Sequence, residues 1–178
     1  MNVLAICGSL RAGSINKALA LEATKLADGM TVEMAEIGNL PLFNEDIEKS
    51  AYPREATALK EKIAAADGVL FFTPEYNRGL PGVLKNAIDW TSRPSGQHPW
   101  GGKPVGVLGA SSGPRGTIVA QYDLKRTLTY FGCHILGTPE FYVDNSDKKI
   151  ADGELKDEKT REYLVKYLAA FKAHVSRA

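Results

Sequence analysis

The feature that most constrains this chain is a recurrence of short apolar runs, each followed by a segment of helical periodicity. Val3–Cys7, Val69–Thr73 and Val105–Gly109 are near-continuously apolar. Strands of that composition are covered on both faces, whereas a half-exposed strand alternates. Thr31–Ile37 and His134–Leu136, with its continuation Glu140–Val143, complete the β-type runs. Helices are expected over Ser14–Ala27, Arg54–Ala66, Pro81–Ser92, Thr117–Phe131 and Asp157–His174. In the second, Ala56, Leu59, Ile63 and Ala66 share one face; in the last, Tyr163, Leu164, Tyr167, Leu168 and Phe171 do. Strand and helix alternate throughout, which predicts an α/β chain: a parallel sheet with right-handed crossovers and helices on both faces.

A chain of 178 residues is the size of one domain. Breakers fall at Asp28-Gly29, Gly38–Pro53, Asp67-Gly68, Arg93–Pro104 and Asn145–Gly153, and none has the composition of a linker. Gly38–Pro53 carries Leu40, Leu42 and Phe43 and is expected to lie against the domain. The net charge of +1 argues against a partner held by nucleic-acid phosphates or an anionic membrane. No apolar run approaches a membrane span. Met1-Asn2-Val3-Leu4 has no basic leader and enters a strand, so no signal peptide is expected. Cys7 and Cys133 lie in apolar segments without metal or CxxC spacing, which suits a reducing cytoplasm. His98, His134 and His174 also lack ligand spacing, so no metal is expected.

Ligands of an open parallel sheet bind beyond the carboxyl ends of its strands. After the first strand comes Gly8-Ser9-Leu10-Arg11-Ala12-Gly13-Ser14-Ile15-Asn16, entering a helix. Free N–H groups at a helix start, the hydroxyls of Ser9 and Ser14 and the forked cation of Arg11 suit a phosphate. The spacing Gly8 to Gly13 mimics a P-loop, but Ser14 stands where its lysine belongs. No GxGxxG is present. The turn therefore predicts a site for a terminal phosphate monoester.

After the third strand comes Thr73-Pro74-Glu75-Tyr76-Asn77-Arg78-Gly79-Leu80-Pro81-Gly82, a stiff loop able to hold a flat heterocycle at its edge. Gly8-Ser9-Leu10-Arg11 with Ser14 and Asn16, joined to Thr73-Pro74-Glu75-Tyr76-Asn77, Pro81-Gly82 and Leu84-Lys85-Asn86-Ala87-Ile88-Asp89-Trp90, resembles the NAD(P)H-dependent FMN reductase family. That family includes quinone reductases, azoreductases and chromate reductases, and the resemblance covers nearly the whole chain. It implies a flavodoxin-like three-layer sandwich with strand order 2-1-3-4-5. It also implies FMN as cofactor, NADPH or NADH as co-substrate and small-molecule electron acceptors. By position, Ser9, Arg11, Ser14, Ile15 and Asn16 would hold the FMN phosphate. Pro74, Glu75, Tyr76 and Asn77 would contact the isoalloxazine and ribityl chain, largely through the backbone. The chemistry would be carried at flavin N5, with no side-chain base.

The turn after the fourth strand, Gly109-Ala110-Ser111-Ser112-Gly113-Pro114-Arg115-Gly116-Thr117, mimics the GxSxG elbow of an esterase, with Asp123 or Asp144 and His134 or His174 downstream. Pro114 and Gly116 lengthen the loop beyond a tight elbow. On the resemblance, Ser111, Ser112 and Gly113 would lie against the isoalloxazine. Two departures stand out: Gly116-Thr117 where relatives often have Gly-Gly, and Arg78 where some have an aromatic. The competing class is a flavodoxin-type electron carrier, usually acidic, which binds FMN but consumes no pyridine nucleotide. A homodimer or homotetramer is expected, with Leu80, Val83, Trp90 and Trp100 offering an apolar patch.

Overall fold

The computed structural model describes residues 1–178, which run β1 (Asn2–Cys7), α1 (Ile15–Leu26), β2 (Thr31–Ala35), α2 (Glu45–Ser50), α3 (Arg54–Ala65), β3 (Gly68–Phe72), α4 (Gly82–Thr91) and β4 (Pro104–Ala110). There follow α5 (Ile118–Tyr130), β5 (His134–Ile135), β6 (Phe141–Val143), the small strands β7 (Ile150–Ala151) and β8 (Glu154–Leu155), and α6 (Glu158–Val175). The main sheet is parallel with order β2-β1-β3-β4-β5, the flavodoxin-like order. Its fifth position is shared: β5 pairs with the beginning of β4 and β6 with its end. Gly137 and Pro139 interrupt the run between them, and proline cannot donate to a ladder.

Side chains alternate across the sheet, and both faces are covered. Val3, Ala5, Leu70, Phe72 and Leu108 join the core beneath α1 and α6. Leu4, Ile6, Val69, Phe71, Val105 and Val107 join the core beneath α3, α4 and α5. The three central strands are therefore buried on both sides, while the edge strand β2 is partly exposed. No helix is long and apolar enough to cross a membrane.

Several expectations need correction. Trp90 and Trp100 are fully buried within this one subunit and form no surface patch. The Trp90 indole N–H donates to the Pro41 carbonyl at 2.7 Å, and its ring meets Phe43 and Tyr52 edge-on at 5.0 and 5.5 Å. The Trp100 indole donates to Thr91 Oγ1 at 3.2 Å. Leu80 and Val83 are half-buried against the same core. These contacts hold Gly38–Pro53 onto the domain, yet Leu42 points away from it, 82% exposed. That segment also contains α2, capped by Asn44, whose side chain accepts from Asp46 N at 2.8 Å. Tyr163 lies one position off the buried stripe of α6 and is exposed beside Lys166. The Asn145–Gly153 stretch contains β7, which pairs with β8 in a hairpin turning on Asp152 and Gly153 at positive φ.

One glycine under the sheet's carboxyl edge is sterically required. A Cβ on Gly109 would lie 2.3 Å from the Thr73 carbonyl oxygen and 2.1 Å from Thr117 Oγ1. Gly109→Ala should therefore destabilise by about 1–3 kcal/mol, the range of core overpacking. Gly13→Ala, with nothing near its Cβ, should change stability by less than about 0.5 kcal/mol. Thermal melts of the two variants check this; equal melting temperatures would refute the close approach.

Candidate functional site

The register of the central strands sets three turns side by side. Cys7 pairs with Phe72, and Phe72 with Leu108. The ladder continues one step further, with Gly8 N donating to Phe72 O and Thr73 N to Leu108 O, each at 2.9 Å. The chain leaves the sheet at this edge after β1, β3 and β4.

Ser14 caps α1: its Oγ accepts from Lys17 N at 3.2 Å. The N–H groups of Ile15 and Asn16, the first two of the helix, have no acceptor in the protein. Ile15 and Asn16, with Ser9 and Ser14, are among the residues that line a cavity of about 130 Å³. Arg11, exposed, stands at its edge, and Ile15 supplies apolar wall. Pro74, Glu75 and Tyr76 form a second side, and Ala110, Ser111 and Ser112 a third. The Tyr76 hydroxyl lies 3.5 Å from Ser9 Oγ, a weak contact joining two turns. Asn77 and Gly113 do not line the cavity. Asn77 occupies the outer bend of its loop, while Gly113 N donates to Ser111 Oγ at 3.2 Å and Gly113 O accepts from Asn145 N.

Two residues that line the cavity, Asn16 and Glu75, also use their side chains to bond backbone groups of other elements. Asn16 is buried, and its amide forms a two-bond pair with Ala110: Nδ2 donates to Ala110 O and Oδ1 accepts from Ala110 N, both at 2.9 Å. Its backbone N–H, not its side chain, is left for a ligand. Glu75 Oε2 accepts from Val119 N at 2.9 Å and Ala120 N at 3.2 Å, capping α5 from another loop. Thr117, at the α5 start, makes no cap of its own; its hydroxyl accepts from Gln121 Nε2. A carboxylate at that helix start is favoured by the macrodipole. Pairing of Asn16 with a residue 94 positions away, and of Glu75 with one 44 away, leaves no local sequence signal.

Burial pushes the Cys7 thiol up, so the cysteine beneath the first turn stays protonated and is no nucleophile. The esterase alternative fails on geometry. Ser111 follows the last residue of β4, whereas His134 pairs with Pro104, the first. Six residue steps of strand separate these ends, roughly 20 Å at about 3.3 Å per residue. His174 lies at the same far end, with Nε2 at 2.8 Å from the His134 carbonyl.

A profile of the NADPH-dependent FMN reductase family matches residues 1–148. The chain belongs to that family. It is an oxidoreductase, which sets the electron-carrier alternative aside. It is 46% identical to an NAD(P)H-dependent FMN reductase of Pseudomonas aeruginosa, over 99% of this chain and 96% of the relative. It is 42% identical to a 2-hydroxy-1,4-benzoquinone reductase of Burkholderia sp, over 98% and 96%. Its structure is similar to that of a flavoenzyme NAD(P)H:(acceptor) oxidoreductase from Paracoccus denitrificans. That match has a TM-score of 0.91 at 40% identity, covering 99% of this chain and 97% of the other.

In this reductase the Asn16–Ala110 pair fixes the first turn of α1 against the end of β4. Asn16→Leu, similar in size, would leave the Ala110 N–H and C=O buried without partners. It should destabilise the protein by about 2–4 kcal/mol, one desolvation penalty for each group. Urea denaturation measures this, and an unchanged midpoint would show that the pair contributes nothing.

Proposed function

We propose that this chain, as one flavin-binding domain over residues 1–178, holds FMN in the cavity at the ends of β1, β3 and β4. It would use the cofactor to carry two electrons from NADPH or NADH to quinones. The observation behind the reading is the convergence of unpartnered donors in one place: the Ile15 and Asn16 N–H groups, the Ser9 and Ser14 hydroxyls and Arg11. A helix start with a guanidinium beside it attracts a doubly charged phosphate monoester. The cavity's 130 Å³ is well below the roughly 300 Å³ at which drug-sized ligand pockets begin. It suits the phosphate and the adjoining ribityl carbons, and the ring system would extend onto the shelf of Pro74, Glu75, Tyr76 and Asn77. Ser111 and Ser112 would flank the ring, with Gly113 orienting the Ser111 hydroxyl through its N–H.

When bound, FMN supplies the hydride acceptance and two-electron donation that no side chain provides. The protein's part is orientation and charge placement. Glu75 pins the shelf to α5, and Asn16 pins the phosphate turn to β4, so the donors are set before a ligand arrives. The net reaction converts NAD(P)H, a proton and a quinone into NAD(P)⁺ and a hydroquinone. An open shelf also suits azo compounds, chromate or free flavin as acceptors, drawing on a cytoplasmic NAD(P)H pool. A homodimer or homotetramer belongs to the same reading. Its support is now a different patch: Ile118, Val119 and Tyr122 on α5 expose apolar surface, and Val119 N is bonded to the shelf residue Glu75.

Arg11→Ala should weaken FMN binding about tenfold, the loss of one charge-assisted pair, in a flavin-fluorescence titration. Unchanged affinity would remove Arg11 from the phosphate site. Anaerobic addition of NADH or NADPH should bleach the visible absorbance of the yellow protein, and re-addition of a quinone should restore it. A spectrum indifferent to both nucleotides would overturn the function. Light scattering at micromolar concentration should give a multiple of 19.3 kDa; an active monomer of that mass would overturn the assembly.

A further inference from the structure

The shelf loop ends in a tight bend. Tyr76 N donates to Gly79 O at 3.3 Å and Gly79 N to Tyr76 O at 3.1 Å, so Asn77 and Arg78 are the two central residues of a hairpin turn. Both have positive φ, 51° and 64°. A turn of this kind favours Asn followed by Gly. Asn77 meets that preference, but Arg78 stands where glycine belongs.

Four non-glycine residues in the chain have positive φ: Asn77, Arg78, Asn145 and Asp152. Asn and Asp tolerate the left-handed region through their short polar side chains, and Arg78 has no such compensation. A residue kept in a strained conformation beside a site is a mark of function. Its ion pair with Glu75 does not explain it. Arg78 Nη1 lies 3.6 Å from Glu75 Oε1, beyond a hydrogen bond, and the Arg78 side chain is 59% exposed. The other Glu75 oxygen is already committed to α5. The carboxylate keeps the guanidinium near a cavity wall while leaving its forked donors unsatisfied.

We propose that Arg78 is a specificity-determining residue that binds a phosphate of the pyridine nucleotide at the mouth of the site. The inference rests on the reductase reading above, because it needs a nucleotide whose nicotinamide lies on the shelf and whose phosphates lead outward. Guanidinium is the side chain suited to a phosphate held by two parallel bonds. Arg11 is assigned above to the inner phosphate, and a neutral quinone offers Arg78 carbonyl acceptors but no charge to pair with. Arg78 therefore acts on the reducing co-substrate and not on the acceptor.

The test uses the FMN-loaded protein and Arg78→Gly, a substitution the backbone favours. The KM for the nucleotide should rise about tenfold, with kcat within about twofold and the KM for an uncharged quinone unchanged. Equilibrium dialysis of NADP⁺ and NAD⁺ should show the same loss without turnover. The melting temperature should hold or rise by up to about 3 °C as the strain is relieved. Arg78→Lys, with charge but no fork, should recover part of the affinity. An equal effect on NADPH and NADH identifies the diphosphate, and an effect on NADPH alone the 2′-phosphate; both support the proposal. Unchanged KM and dialysis constants for both nucleotides in an active enzyme would overturn it. So would a lowered melting temperature with unchanged binding, which would make Arg78 a structural residue only. A wild-type protein that accepts electrons from neither nucleotide is a separate result, which overturns the reductase reading and this proposal with it.

Discussion

The parallel, in-register pairing of β1, β3 and β4 is the constraint on which the site depends. Parallel strands all end on the same edge, so their following turns meet there without further arrangement. Register fixes how closely they meet: Cys7, Phe72 and Leu108 lie in one row, and the next residues begin the three walls of the cavity. Gly109 shows how tight this convergence is, because a single methyl group there would collide with the backbone of the neighbouring turn.

A shared edge alone would not hold three loops in fixed positions, since turns lack the ladder bonds of strands. Two polar side chains from distant parts of the sequence do this. Asn16 fastens the first turn to Ala110, and Glu75 fastens the third to the start of α5. Each satisfies buried or helix-end backbone groups that would otherwise be unpaired. The Ile15 and Asn16 N–H groups, at the start of α1, are among the polar groups left unspent at the edge. The structure thus separates groups that hold the site together from groups available to a phosphate.

The sheet and its covering helices were legible because burial on both faces writes continuous apolar strands and 3.6-residue stripes directly into the sequence. The free N–H groups and hydroxyls of the first turn were legible because helix-start chemistry is local. The partners of the Asn16 and Glu75 side chains were not legible, since no local pattern shows a partner 94 or 44 positions away. Trp90 and Trp100 look like interface residues in a linear reading. Only the folded Gly38–Pro53 segment, with the Pro41 carbonyl over the Trp90 indole, shows them to be interior. The α2 helix and the β7–β8 hairpin had signals, Asn44 before acidic residues and Asp152-Gly153, but their brevity hid them among loop residues.

The central claim is that the open N–H groups at the start of α1 receive the phosphate of FMN. Amide NMR of the FMN-free protein, titrated in parallel with FMN and with riboflavin, addresses it at the atoms concerned. The account predicts that FMN moves the Ile15 and Asn16 amide resonances downfield and protects them from exchange. Riboflavin, which has the ring but no phosphate, should leave both nearly in place while moving Tyr76 and Ser112. Ile15 and Asn16 amides that stay put with saturating FMN, or respond equally to riboflavin, would contradict it.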